Sequence, residues 1–246
     1  MKHASSLSIL AVAAGLCAPA AIAQAAPQPR AVVELFTSQG CSSCPPADKL
    51  MAEFAQDPTL VAVSMPIDYW DYLGWKDTLA DHAFTSRQRG YGEQRGDRQV
   101  YTPQAVVDGV AHAIGSDPGA VAQAEAASRL KGAMTVPVSV EAAAGTIRIS
   151  VGAGAADAEA GVYLVPVRKR CDVSITRGEN KGKAVTYVNV ARSVLPVGAW
   201  KGQAATFDVA ATLAQTRDAD SYVVLLQTGT IGRPGVILGA AKGPGL

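Results

Sequence analysis

The sequence predicts an α/β unit followed by an all-β sandwich. The first observation is a short apolar strand that hands over to a helix through the pair Cys41 and Cys44. The second is an order of strand, helix, strand, helical insertion, hairpin and helix up to about Lys131. The third is a run of short strands, separated by Gly-, Asp- and Ala-rich turns, from Thr135 onward. With 246 residues, 48% of them apolar, the chain is long enough for about two ordinary domains with ample core. The switch from helix to strand near Gly132 is the best boundary, giving units at 29–132 and 135–246.

Met1 to about Ala25 (1–25) has the pattern of a secretory signal. Lys2 supplies a short positive region, Leu7 to Leu16 an apolar core, and Ala21-Ile22-Ala23 or Ala23-Gln24-Ala25 a small-residue cleavage site. The apolar run is shorter than the roughly 20 residues that span a bilayer, so no stable membrane insertion is expected. Leu16 is too bulky for a lipid-anchor site at Cys17, and there is no twin arginine. The expectation is a periplasmic or secreted chain. Losing Lys2 with the leader leaves basic and acidic residues balanced. The absence of basic tracts argues against a nucleic-acid or anionic-membrane partner.

Val32 to Phe36 reads as the strand, Gly40 closes the turn, and the helix is entered through Cys41-Ser42-Ser43-Cys44. Spacing of i, i+3 puts both sulfurs on one face of a first helical turn, where they can close a small ring. The positive end of the helix dipole favours thiolate, the attacking species in disulfide exchange. Pro45 and Pro46 fit a first turn but remove two amide donors near the sulfurs. Ala47, Leu50, Met51 and Phe54 recur at helical spacing, leaving Asp48, Lys49, Glu53 and Gln56 for the solvent face. Cys171 makes the mature cysteine count odd and reads as a lone, partly buried thiol. In an oxidising compartment the pair is a redox-active dithiol, a structural disulfide or part of a metal site.

Leu60 to Ile67 forms a second apolar strand. Asp68 to Trp75 is rich in Tyr and Trp, and is either an insertion packed on the domain or an apolar rim beside the cysteines, with Trp70 contacting substrate. From Asp77 to Arg89 the pattern is helical, with Arg87, Arg89, Arg95 and Arg98 as a solvated face. Asp108-Gly109 signals a hairpin, and Pro103 opens its first strand, where a missing N–H is tolerated. Ser116 or Asp117 caps a helix with Pro118 at its first position, running to about Leu130. Beyond it, strands are expected at Val136–Val140, Thr146–Val151, Gly161–Arg168, Ala184–Val190, Ala205–Val209, Ser221–Thr228 and Gly235–Ala240. Arg177-Gly178-Glu179-Asn180 reads as a loop with turn-satisfying side chains.

At Val33-Glu34-Leu35-Phe36 and the cysteines that follow, the chain resembles the thioredoxin-like superfamily. More narrowly, the cysteine segment, the stretch from Asp68-Tyr69-Trp70 to Tyr91, and Arg177 to Asn180 with Asn189 are similar to a secreted bacterial family, the domain of unknown function 1223. The resemblance implies a thioredoxin-like domain in the first half; the β-sandwich after it, Ig-like in type, is read from the strand and turn spacing. The resemblance implies Cys41 as nucleophile, Cys44 as resolving thiol, and Glu34 as a buried acid that accepts the Cys44 proton. It also implies a cis peptide at Pro103, against the cysteines, turning the Thr102 backbone toward an extended substrate peptide. The expected function is a thiol–disulfide oxidoreductase acting on protein or peptide thiols and disulfides. No cofactor is implied, because the electrons sit on the protein's own sulfurs. Two alternatives remain: copper delivery, with Cu(I) held by both thiolates and His82 or His112, and a non-catalytic binding module with an inert disulfide.

Overall fold

The computed structural model describes residues 28–155 and 157–246. The leader expected over 1–25 lies outside them. Strand β1 (Ala31–Thr37) is buried at every position, as a strand covered on both faces must be. Helix α1 (Pro45–Phe54) starts with both prolines in its first turn. Strand β2 (Leu60–Pro66) runs parallel to β1. A 3-10 turn at Asp71–Leu73 precedes α2 (His82–Arg95), which starts later than its pattern suggested. The delay has a local cause. The Asp77 carboxylate accepts from the amides of Gln39 and Leu79 and holds that segment as a loop, and Asp81 then caps the helix by accepting from the Ala83 amide.

Strands β3 (Gln104–Val107) and β4 (Ala111–Ile114) form the expected hairpin around Asp108 and Gly109, whose φ angles of 52° and 71° suit a tight turn. Helix α3 (Pro118–Leu130) is capped by Asp117, which accepts from the Ala120 amide. Strands β5 (Val138–Ala143), β6 (Thr146–Val151), β7 (Ala160–Ser174), β8 (Ala184–Ala191), β9 (Leu195–Trp200), β10 (Ala205–Ala210), β11 (Ser221–Thr230) and β12 (Arg233–Lys242) complete the chain.

The sheet does not stop at the boundary expected near Gly132. Strand β8 pairs in parallel with β2 through Ser64 and Val190. Among the described residues one nine-stranded sheet therefore runs β12-β11-β7-β8-β2-β1-β3-β4, with β9 also on β7. The smaller sheet β10-β6-β5 lays Val138, Ile147 and Ile149 on Val162, Leu164 and Val224 of β7 and β11. Two β layers are thus packed together, but one of them is continuous with the first half of the chain. Asn189 stitches the join: its side-chain amide donates to the Ala62 carbonyl at 3.0 Å, while Ser64 Oγ donates to the Val188 carbonyl at 2.8 Å.

Alternation along β1 sorts the core. Val33 and Leu35 face Ala47 and Met51 of α1 and Val121 of α3. Val32 and Phe36 face Phe84 and Tyr91 of α2 together with Val165, Val223 and Ile237. The first and second halves therefore share a core as well as a sheet.

Candidate functional site

Cys41 and Cys44 are joined in a disulfide at the start of α1, their Cα atoms 5.4 Å apart. Cys44 is the N-cap, and its backbone is already helical (φ −76°, ψ −35°). Its carbonyl accepts from the amides of Ala47 at 2.8 Å and Asp48 at 3.1 Å. Both cysteines are enclosed, Cys41 at 3% exposure and Cys44 at 0%. Ser42 and Ser43 between them are exposed, with Ser43 Oγ 3.5 Å from Cys41 Sγ. The surface of this turn is thus made by Ser42 and Ser43, with both cysteines enclosed.

Trp70, Thr102 and Pro103 are brought to the same place. A Cβ on Gly40 would meet Trp70 Cβ at 3.1 Å, so glycine here lets the indole segment close on the cysteine turn. Trp70 Nε1 donates to Thr102 Oγ1 at 2.7 Å, and the ring stacks with exposed Tyr72 at 6.3 Å between centroids. The Thr102–Pro103 peptide is cis. Pro103 accepts from the Gly115 amide at 3.0 Å, and a Cβ on Gly115 would lie 3.4 Å from Pro103 Cβ and 3.3 Å from Ala47 Cβ. Gly40, Trp70, Thr102, Pro103 and the first turn of α1 thus form one continuous patch. Among the described residues, neither the amide nor the carbonyl of Thr102 has a hydrogen-bond partner.

Glu34 is not in this patch. Its neighbours Val33 and Leu35 point to α1, so Glu34 points to the opposite face of the sheet. There Arg87 Nε donates to Glu34 Oε1 at 2.9 Å, and the Tyr91 hydroxyl donates to Oε2. Gln227 of β11 accepts from Arg87 at 2.7 Å and donates to Tyr91 at 2.8 Å. The expected proton role of Glu34 at Cys44 is corrected accordingly: its carboxylate is committed to a buried ion pair. Arg87, read as part of a solvated face, is buried at 3% exposure. Burial works to lower its pKa, and the Glu34 charge, the Tyr91 hydroxyl and the hydrogen bond to Glu34 together outweigh this and raise it.

The acids near the cysteines are Asp48 and Asp77. Asp48, expected on the solvent face, is 2% exposed. Because Cys44 is helical and bonded to the Asp48 amide, the two residues stack one turn apart, a spacing of about 5–6 Å between Cβ atoms. Asp48 Oδ1 accepts from Thr37 Oγ1 at 2.7 Å, and Oδ2 is buried with no partner among the described residues. Burial raises its pKa to about 8; the Thr37 bond opposes this and the Asp77 charge adds to it. Burial likewise lifts Asp77 to about 6, against the amides of Gln39 and Leu79. Tyr187 of β8 is raised by burial and by the charges of both acids. The i, i+4 spacing from Cys44 was the sequence signal for Asp48.

Asn180 also belongs to the site, through the loop between β7 and β8. Its side-chain amide donates to the carbonyls of Gln39 at 2.9 Å and Cys41 at 2.8 Å. Gly178, in the same loop, rests against Trp75. No spacing rule in the sequence connects Asn180 to the cysteines.

The histidines weighed as copper ligands have other partners. His82 Nδ1 lies 2.9 Å from Asp68, and His112 lies 2.9 Å from the Tyr101 hydroxyl and 3.3 Å from Asp97. Among the described residues no group of three or more His, Cys, Asp or Glu is placed to hold a metal ion. Cys171 is a buried free thiol whose pKa is raised by burial. Among the described residues no helix is long and apolar enough to cross a membrane.

Residues 32–227 match the family described as protein of unknown function (DUF1223), and the chain belongs to that family. It is similar to a crystal structure of a protein from Agrobacterium tumefaciens, with 36% identity and a TM-score of 0.79 over 89% of this chain and 96% of that one. It is also similar in fold to HBP35 of Porphyromonas gingivalis, at 11% identity and a TM-score of 0.55, over 89% of this chain and 76% of that one. No curated protein matches.

Proposed function

We propose that this chain is a periplasmic or secreted thiol–disulfide oxidoreductase, with a thioredoxin-like part carrying Cys41 and Cys44 and an Ig-like β part that positions the partner. The patch formed by the cysteine turn, Trp70, Thr102 and Pro103 is the observation that carries this reading. It sets the sulfur pair beside a half-buried indole, with exposed Tyr72 stacked on it, and an unpaired backbone segment able to align an extended peptide. The order β2-β1-β3-β4, with β3 antiparallel to β1, supports the thioredoxin-like part.

In the reduced protein the Cys41 thiolate attacks a disulfide of the partner. A bond forms between Cys41 and one partner sulfur as the partner's own S–S bond breaks, and the other partner sulfur leaves as thiolate. Cys44 then gives its proton to Asp48 in its ionised form, whose share grows as pH rises toward about 8, and attacks Cys41 Sγ. The second partner thiolate departs, two electrons have passed to the partner, and the Cys41–Cys44 disulfide remains. The same steps in reverse oxidise a partner dithiol. Burial raises the Asp48 carboxyl to about 8, in the range that suits a general base working near neutral pH.

A Cys44→Ser variant is expected to accumulate partners disulfide-linked to Cys41, and the wild type to reduce insulin in the presence of dithiothreitol. The enclosure of both cysteines favours one second reading, a binding module braced by an inert bridge. No trapped partner, no insulin reduction and a bridge that survives strong reductant would decide for that module.

A further inference from the structure

Asn180 is 1% exposed and sits at the tip of a loop closed by its own backbone bonds, from Ile175 to the Lys183 carbonyl at 2.9 Å and from Gly182 to the Ile175 carbonyl at 2.8 Å. Both of its donated hydrogen bonds go to the cysteine turn, at the carbonyls of Gln39 and Cys41. Its Oδ1 accepts from the Lys183 ammonium at 2.8 Å. Ammonium, side-chain amide and Cys41 carbonyl therefore form an aligned chain in which each bond polarises the next. Drawing electron density from the Cys41 carbonyl toward a cation one amide away lowers the cost of a negative sulfur on the same residue.

We propose that Asn180 is a positioning residue for Cys41, fixing the Gln39–Cys41 turn and stabilising the Cys41 thiolate once the disulfide is opened. The inference rests on the reading of Cys41 as the attacking sulfur. It gives the second half of the chain a part in the reaction, supplied by a loop on the far side of the join between β2 and β8.

The test is the pH profile of Cys41 alkylation by iodoacetamide in a chain that also carries Cys44→Ser and Cys171→Ser. Adding Asn180→Ala is expected to move the midpoint up by about half a unit to one unit, roughly a three- to tenfold loss of thiolate below it. Lys183→Met keeps the bonds to the turn and is expected to give a smaller rise at an unchanged melting temperature; it decides the matter if Asn180→Ala does not fold. A melting temperature lowered by Asn180→Ala, with both midpoints at the parent value, overturns the proposal and leaves Asn180 as a loop tie. Insulin reduction by the wild type reads the oxidoreductase function separately. A shifted midpoint in a chain that reduces nothing sinks that function while the effect on Cys41 stands.

Discussion

Single side chains set the acid–base behaviour of the site. The Asp48 carboxyl is raised from 3.8 to about 8, mainly by burial. Between those limits the folded chain keeps a proton that the unfolded chain has released, so stability falls as pH rises through this window and levels off above about 8. Asp77 and Asp108, raised by burial to about 6 and about 7, add the same sign over narrower ranges. Asp48→Asn retains an acceptor for Thr37 and removes the ionisation. Its urea midpoint is expected to fall less than that of the wild type between about pH 6 and pH 9; an equal fall would count against the Asp48 assignment. On the other face of β1, Arg87→Met strands the Glu34 carboxylate in the core. Denaturant titration should show a loss of about 3–5 kcal/mol, partly recovered when Glu34→Leu is added.

At the scale of elements, local chemistry was legible and distant pairing was not. Prolines and the cysteine spacing marked the start of α1, Asp108-Gly109 marked the hairpin, and Asp117-Pro118 marked α3; each signal acts within a few residues. Strand β9 was missed because Pro196 and Gly198 interrupt its pattern. Burial of Glu34 is implied by the family resemblance alone, and the partner that fixes its face, Arg87, reads as surface because a helical arginine carries no mark of what lies opposite. Alternation reports which face a side chain takes, never which edge a strand joins. The pairing of β8 with β2 therefore had no signal. Asn189 bears on that join: it holds φ 46° and bonds a carbonyl 127 residues away. Asn189→Ala loses the bond and keeps an unfavourable backbone, so it is expected to cost about 1–3 kcal/mol by thermal or urea unfolding.

For the whole molecule, a shared sheet and a shared core mean that the halves are not independent. Cutting after Gly132 strips β2 of its neighbour β8 and Arg87 of its partner Gln227. A fragment of residues 29–132 is expected to unfold without cooperativity and to bind hydrophobic dye, whereas the full chain melts in one transition. Two separate transitions in the full chain would show that the halves are autonomous after all.

The amide that secures the Cys41 carbonyl lies 139 residues further along the chain. A polypeptide made from its amino end therefore presents Cys41 and Cys44 long before Asn180 emerges. Until then the Gln39–Cys41 turn lacks both of the bonds that Asn180 gives it in the folded chain.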